Sequence, residues 1–176
     1  QNFQLKHTVP NADRTQIAVS KQNAGTIYVL AEVPGGVAMQ STTDGFAADI
    51  SDLDLPNDAD NGIDANDFTR GQAFYDLLLE VDPTSDQTIY AGGIDLFRSG
   101  NGGQGTGGSS WEQISKWSNN NNLAGLNIPL VHADQHTMIF APNDAFTAIF
   151  GNDGGVYYST SGGLTIQSRN NGFVTS

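Results

Sequence analysis

The sequence predicts an all-β protein made of three consecutive four-stranded antiparallel units. Three observations carry this. Short runs of β-branched and aromatic residues alternate with Gly, Pro, Asn and Asp clusters, the form of short strands joined by tight turns. Helical signals are nearly absent, because apolar residues do not recur at i, i+3, i+4 and i+7. The same order of segments occurs three times at a spacing of roughly 60 residues, and a repeat of that length denotes an array or a propeller.

The clearest copy is His136–Gly163, HTMIFAPNDAFTAIFGNDGGVYYSTSGG: apolar strand, Pro-Asn-Asp turn, apolar strand, Gly-Asn-Asp-Gly-Gly break, aromatic strand, Ser/Gly turn. Asp76–Gly103, DLLLEVDPTSDQTIYAGGIDLFRSGNGG, repeats that order, and Gln16–Phe46 is a looser copy. Ile27-Tyr28, Ile89-Tyr90 and Ile149-Phe150 are expected at equivalent points.

Taken in order, residues 1–14 form a tail or the end of a preceding unit. Unit one spans 15–67, with strands Thr15–Val19, Thr26–Val33 and Val37–Gln40. Its acidic loop, 47–67, reads as too polar to be core. Unit two spans 68–128, and its fourth strand, Ser110–Ser115, follows a Gly-rich connector. Unit three spans 129–176 and closes with Leu164–Ser168, after which Phe173-Val174-Thr175 echoes Phe68-Thr69-Arg70 as the approach to a further repeat.

The first strands of units two and three are continuously apolar, Leu77-Leu78-Leu79 and Met138-Ile139-Phe140-Ala141. A strand with one wet face would alternate, so these sheets are covered on both faces. Sheets packed face to face, with four strands each, are the blades of a β-propeller. A parallel β-helix is the competing array, but its repeats are shorter and its strands single. Propellers close with about four to eight blades, so the expectation is three blades of a larger one.

Composition narrows the partners. The 176 residues carry a net charge of −12 with only 7 Lys and Arg. That disfavours nucleic acid, which needs clustered cations, and an anionic membrane surface. No apolar run approaches the ~18 residues of a membrane span, so no membrane insertion is expected. There is no cysteine, hence no disulfide and no thiol chemistry. The chain opens at Gln1 without an initiator Met or a signal peptide, which reads as a processed or truncated start.

Three segments resemble the BNR/Asp-box propellers, the class that includes sialidases, sortilin-type receptors and xyloglucanase-like hydrolases. The box of that class reads Ser-x-Asp-x-Gly-x-x-Trp. Here Ser159-Thr160-Ser161-Gly162-Gly163 has Ser161 for Asp and Ile166 for Trp. Ser99-Gly100-Asn101-Gly102-Gly103 has Asn for Asp, with Trp111 delayed by the Gly-rich insertion. Thr42-Thr43-Asp44-Gly45-Phe46 keeps the Asp and loses the second Gly. GQAFYDLLLEVDP, YAGGIDLFRS, VHADQH and GNDGGVYYST are similar to segments of large secreted proteins of Bacteroidetes-type bacteria. That resemblance covers about residues 68–172 well and 15–46 weakly. It implies a secreted or cell-surface bacterial protein, sorted by the type IX route, and is unspecific for activity.

Strand counting brings chemistry to one rim. The start of strand one and the end of strand two of a blade share an edge, at the mouth of the central channel. That mouth is the default ligand site. Counting outward puts Asp76 near Gly93 and Asp95, His136 near Asn152, Asp134 near Asp153 and Gly154, and Asp13 and Arg14 near Glu32. The ligand-binding candidates are therefore His132, Asp134, His136, Asn152 and Asp153, with Trp117 as an exposed aromatic beside the Asn-rich loop.

In an extended strand His132, Asp134 and His136 point the same way and could hold a transition metal. The competing reading is a hydrogen-bonded turn that fixes the rim. Asp76, Asp95, Asp134 and Asp153 are the candidate catalytic carboxylates for glycoside hydrolysis, which needs two. The competing reading gives them to turns. The scattered Arg14, Arg70, Arg98 and Arg169 do not make the arginine triad of a sialidase. In the acidic loop Asp58, Asp60 and Asp64 place hard oxygen ligands at alternating positions, which suits calcium. A solvated loop is the alternative.

The function expected from the sequence is non-catalytic binding of a glycan or a protein partner by an exported or cell-surface bacterial protein, whose remaining blades would be further partners. A xyloglucanase- or sialidase-like glycoside hydrolase is the first alternative, and a structural segment of a surface assembly is the second.

Overall fold

A computed structural model of the chain describes residues 2–105 and 110–172. It contains three four-stranded antiparallel sheets and one short 3-10 turn, Asn121–Gly125. Blade one runs β1 (Thr15–Val19), β2 (Ile27–Val33), β3 (Gly36–Thr42) and β4 (Ser51–Asp52). Blade two runs β5 (Leu78–Val81), β6 (Ile89–Gly92), β7 (Leu96–Ser99) and β8 (Glu112–Gln113). Blade three runs β9 (Gln135–Phe140), β10 (Ala148–Asn152), β11 (Gly155–Ser159) and β12 (Gln167–Ser168). Each sheet keeps sequence order, as a meander of hairpins must. The first strands stand side by side, β1 against β5 and β5 against β9. These are three blades of a β-propeller.

Alternation along the strands of blade two explains the stacking. Leu79 pairs with Ala91 and Val81 with Ile89, and these join Phe97 in a core shared with Ala18, Tyr28, Leu30 and Met39 of blade one. The intervening Leu78, Tyr90 and Leu96 enter a second core with Met138, Phe140, Ala148 and Phe150 of blade three. Edge-to-face pairs close each core: Phe68 with Phe97 at 5.6 Å and Tyr90 with Phe140 at 5.3 Å.

A tyrosine crosses each interface. Tyr28 donates its hydroxyl to the Asp86 carbonyl of blade two at 2.7 Å. Tyr90 donates to the Gly162 carbonyl of blade three at 3.0 Å. The turns align the repeats: Ser20, Asp82 and Ala141 donate backbone amides to the carbonyls of Thr26, Thr88 and Thr147. Counting from those threonines, Ile149 holds the place of Tyr28 and Tyr90. This corrects the expected equivalence, in which Phe150 took that place. Phe150 instead points back toward blade two and is fully buried, while Ile149 is 50% exposed.

The degenerate Ser/Thr-Gly segments fold alike. The hydroxyls of Thr42, Ser99 and Ser159 accept the backbone amides of Phe46, Gly103 and Gly163, each four residues on. One hydroxyl thus closes the turn between third and fourth strands in every blade. The loop 47–67 departs from the expectation of a wholly solvated segment. It supplies β4 and buries Leu53 and Ile63, because its apolar residues are spaced to reach the core while its carboxylates bond locally. The fourth strand of blade two is shorter than Ser110–Ser115, since Trp111 turns away to bond the Asp54 carbonyl. Full coverage of both faces holds for Leu77–Leu79 but not for Ile139, which is 65% exposed on the outward side of blade three. Residues 4–9 make no strand and line the outward side of blade one, where His7 stacks on Phe46 at 4.5 Å. Phe173-Val174-Thr175 lies outside the described residues.

Phe150→Ala removes a fully buried ring from the blade two–three core and is expected to cost about 3–5 kcal/mol. Ile149→Ala, one residue earlier, should cost under about 1 kcal/mol, because its side chain is half exposed. Chemical denaturation of both variants checks this. Equal losses would mean that the strand sits one residue out of the register described.

Candidate functional site

The rim of blade three is set by a two-residue hairpin. Asn152 pairs with Gly155, leaving Asp153 and Gly154 in the turn. The ladder between β9 and β10 shifts at Gly151/Asn152, so Asn152 stands opposite Gln135. That irregularity puts Asp153, not Asn152, beside His136. His136 Nε2 lies 2.7 Å from Asp153 Oδ1, with both side chains about one-third exposed at 31% and 32%. The Tyr75 hydroxyl donates to the same carboxylate at 2.8 and 3.1 Å. Tyr75 also meets the His136 ring edge-on, with centroids 4.8 Å apart. Hydrogen bonding to His136, and then to Tyr75, holds the Asp153 carboxyl below its ordinary value.

Tyr75 comes from the turn leading into blade two, where Tyr75 and Asp76 both donate backbone amides to the Gln72 carbonyl. Blades two and three therefore build the constellation together. Phe74, beside Tyr75, is 65% exposed. Sequence reasoning passed over both aromatics. Their signal was GQAFYD itself: two aromatics in a turn, outside any strand alternation, just before a rim carboxylate.

Asp76 points inward from that turn. It is fully buried, and neither carboxylate oxygen has a hydrogen-bond partner. Burial, then the charge of Asp134, pushes its carboxyl up to about 8. Burial thus biases Asp76 toward the neutral acid, which lessens the charge part of the cost while its two oxygens stay without partners. Asp134 adopts φ +65°, in the left-handed region. Burial, then the charge of Asp153, raises its carboxyl as well.

The positive φ at Asp134 breaks the extended strand expected through His132, Asp134 and His136, since β9 begins only at Gln135. The three side chains do not form a metal set. Among the described residues no three His, Asp or Glu side chains are grouped to hold an ion. His132 lies against Gly154, where a Cβ would overlap its side chain, so the hairpin turn needs glycine there.

The buried anchor of the HADQH segment is Gln135, which is fully buried. Its backbone amide donates to the Gly93 carbonyl at 2.8 Å. Its side-chain amide donates to His132 O at 2.6 Å and Ile94 O at 3.3 Å, and Oε1 accepts from Asn152 Nδ2 at 3.2 Å. Asn152, expected to contact ligand, is consumed by this network and by the Gly154 amide.

Other expected site residues fall elsewhere. Asp95 does not join Asp76. It is fully buried just before β7 and accepts from Gln113 of β8 and from Ser115 beyond it. Trp117 donates to Asp60. Asp58 and Asp60 accept the amides of Asp60 and Gly62 in local turns, and Asp58, Asp60 and Asp64 do not converge as a trio. On the blade one side of the rim, a cleft of about 560 Å³ is lined by Asp13, Glu32, Asp64, Asp67 and Arg70 together with small residues. Asp13 and Glu32 are paired there through the backbone, as counted from the sequence.

Comparison with known proteins agrees with this architecture. No family model matches the chain, and no curated protein does. Among solved structures it is similar to a GH74 enzyme from Niastella koreensis, with TM-score 0.55 and 22% identity over 86% of this chain and 22% of that one. It is also similar to an ancestral GH74 enzyme, with TM-score 0.54 and 18% identity over 93% of this chain and 19% of that one. YCF48 from Cyanidioschyzon merolae gives TM-score 0.49 and 13% identity over 91% of this chain and 41% of that one. The chain spans about a fifth of the GH74 enzymes it matches. What is shared is the fold.

The raised carboxyl of Asp76 has a consequence for pH. Its native pKa of about 8 exceeds the ordinary 3.8, so the native state binds its proton more tightly than the unfolded chain does. That stabilisation is complete below the ordinary value and is lost as pH rises toward about 8. Melting temperature is expected to fall over that interval in the wild type and to fall less in Asp76→Asn. An unchanged slope in the variant would exclude a neutral Asp76.

Proposed function

We propose that the rim between blades two and three binds a neutral glycan, and that the protein is an exported or cell-surface binding module. The observation that carries this is the Asp153 carboxylate, fixed by His136 and Tyr75 on an exposed edge next to Phe74. A carboxylate has about four lone-pair sites. Two protein donors orient it and leave acceptor capacity for sugar hydroxyls. Tyr75 and Phe74 offer partly exposed rings with an apolar face to the C–H side of a sugar, and Tyr75 adds a polar tip. The net charge of −12 suits a neutral rather than an acidic saccharide. The resemblance of the repeats to secreted bacterial propellers supports the location.

A second reading is glycoside hydrolysis. Asp134 is raised while its neighbour Asp153 is lowered. Two carboxyls driven apart in this way are the arrangement that acid and base roles require. The GH74 likeness is compatible with this reading at the level of fold.

The test is a panel of neutral polysaccharides scored for both retention and release of reducing ends. Retention without release is expected. Tyr75→Ala and Asp153→Asn should each weaken it by roughly tenfold or more, the loss of a charge-assisted hydrogen bond or of a stacked ring. Release of reducing ends that disappears in Asp134→Asn would decide for the hydrolase. Retention indifferent to Tyr75 and Asp153 would remove the site from consideration.

A further inference from the structure

The Asn-rich loop that follows β8 carries little core, yet it is pinned at several points. Lys116 is buried and donates Nζ to the Leu123 carbonyl at 3.0 Å and to the Leu126 carbonyl at 2.6 Å. Leu123 is buried too. Asn122 Nδ2 donates to the Ala59 carbonyl, and Trp117 Nε1 donates to Asp60 Oδ2 at 2.9 Å. Taking a lysine ammonium out of water to hold two carbonyls is costly. A loop held this firmly, outside any strand, is suited to present the side chains it carries.

It carries a ring and a row of amides. Trp117 is 39% exposed. Its only donor is spent on Asp60, so what it offers to solvent is ring surface. Asn120, Asn121 and Asn122 line a small hollow against it. Asn120 and Asn121 are exposed, and among the described residues their side-chain amides take no partner. Each amide offers donors and an acceptor together, without charge. A flat apolar ring beside such groups matches a sugar ring, which has a C–H face and a girdle of hydroxyls. The loop also stands at the rim end of blade two. The Ile114 amide donates to the Leu96 carbonyl and the Ser115 hydroxyl to Asp95, so β8 ends where β7 begins. Gly93 and Ile94, just before β7, are the residues whose carbonyls take Gln135 at the rim. Tyr75 precedes β5, the innermost strand of the sheet, and Trp117 follows β8, the outermost. Three strand spacings of ~4.8 Å put those strands roughly 15 Å apart.

We propose that Trp117 is an outer platform of the glycan-binding face, and that this face takes an extended polysaccharide chain rather than a single sugar. The inference rests on the glycan reading above and adds the class of substrate to it. One sugar seated at the Tyr75–Asp153 edge does not reach Trp117, whereas a chain lying along the rim of blade two meets both. Trp117 stacks on one ring of that chain, and Asn120 and Asn121 bond its hydroxyls. Lys116 and Asp60 are positioning residues: Lys116 holds the turn that bears the asparagines, and Asp60 holds the edge of the indole. Neither stacking nor amide bonding requires a charged ligand, in agreement with a neutral chain and a net charge of −12.

Affinity electrophoresis in soluble β-glucan, galactomannan and hydroxyethylcellulose tests this, with disaccharides cut from the retained polymer as competitors. The wild type is expected to be retarded by at least one polymer and released from it only weakly by the disaccharides. Trp117→Ala should weaken retention by roughly tenfold or more, and Trp117→Phe, which keeps a ring but loses the bond to Asp60, by only a few-fold. Where Trp117→Ala fails to fold, the double variant Asn120→Ala/Asn121→Ala, whose side chains hold nothing in place, decides by the same comparison. Retention lost in Tyr75→Ala but intact in Trp117→Ala overturns this inference and leaves the rim site standing. Absence of retention in the wild type removes both. A Phe variant as weak as the Ala variant overturns the stacking role, because it assigns Trp117 to holding the loop. Disaccharides that compete as well as the polymer overturn the extended chain. Retention that fades in 0.5 M salt points to a charged partner and overturns the neutral one.

Discussion

A four-stranded antiparallel sheet has two faces, and in blade two both are apolar. Neither can be left in water without losing the gain that folds the chain, which is on the order of 25 cal/mol for each Å² of apolar surface removed from solvent. Blade two therefore needs a sheet on either side, and its neighbours supply them. The rest follows from this stacking. It sets the first strands side by side, it aligns the tyrosines that cross from blade to blade, and it brings a turn of one blade against the hairpin of the next at a common rim.

Much of the architecture was legible because strand signals are local. Continuous apolarity in Leu77–Leu79 announced a sheet covered twice, and the Gly-Asn-Asp-Gly-Gly break announced the hairpin. What the pattern did not show was register. The threonine turns show that Ile149, not Phe150, corresponds to Tyr90, and a one-residue slip exchanges the faces of every side chain on the strand. The acidic loop was read as solvent-facing on composition. Leu53, Ile63 and Asp58 are buried in it all the same, because its carboxylates find donors in their own turns and in β8.

The site was half legible for the same reason. Counting from the turns placed Asp134 and Asp153 together, and that neighbourhood is seen in the charge of Asp153, which raises the Asp134 carboxyl. It could not find the bulge that gives His136 to Asp153, nor the positive φ at Asp134, since both are local departures from ideal strand geometry. Nor could it find Tyr75, whose partner lies 78 residues away in another blade. Long-range pairs between turns leave no periodic trace. Gln135, between the residues that drew attention, is the buried anchor, and Asp95 lies with the outer strand because its turn faces β8.

Each interface is also crossed by the hydroxyl of a core tyrosine, Tyr28 onto blade two and Tyr90 onto blade three, and each core joins adjacent blades only. Such a stack transmits mechanical load as a chain of links does, each unit answering to its neighbours. Tension applied across it would part the tyrosine ties in series. A disturbance in blade one would reach the His136–Asp153 edge only by way of blade two, whose Gly93 and Ile94 carbonyls are held by Gln135. That glutamine and Tyr75, which reaches Asp153 directly, are the last couplings in the line, and their stiffness governs how much of a distant strain the rim can feel.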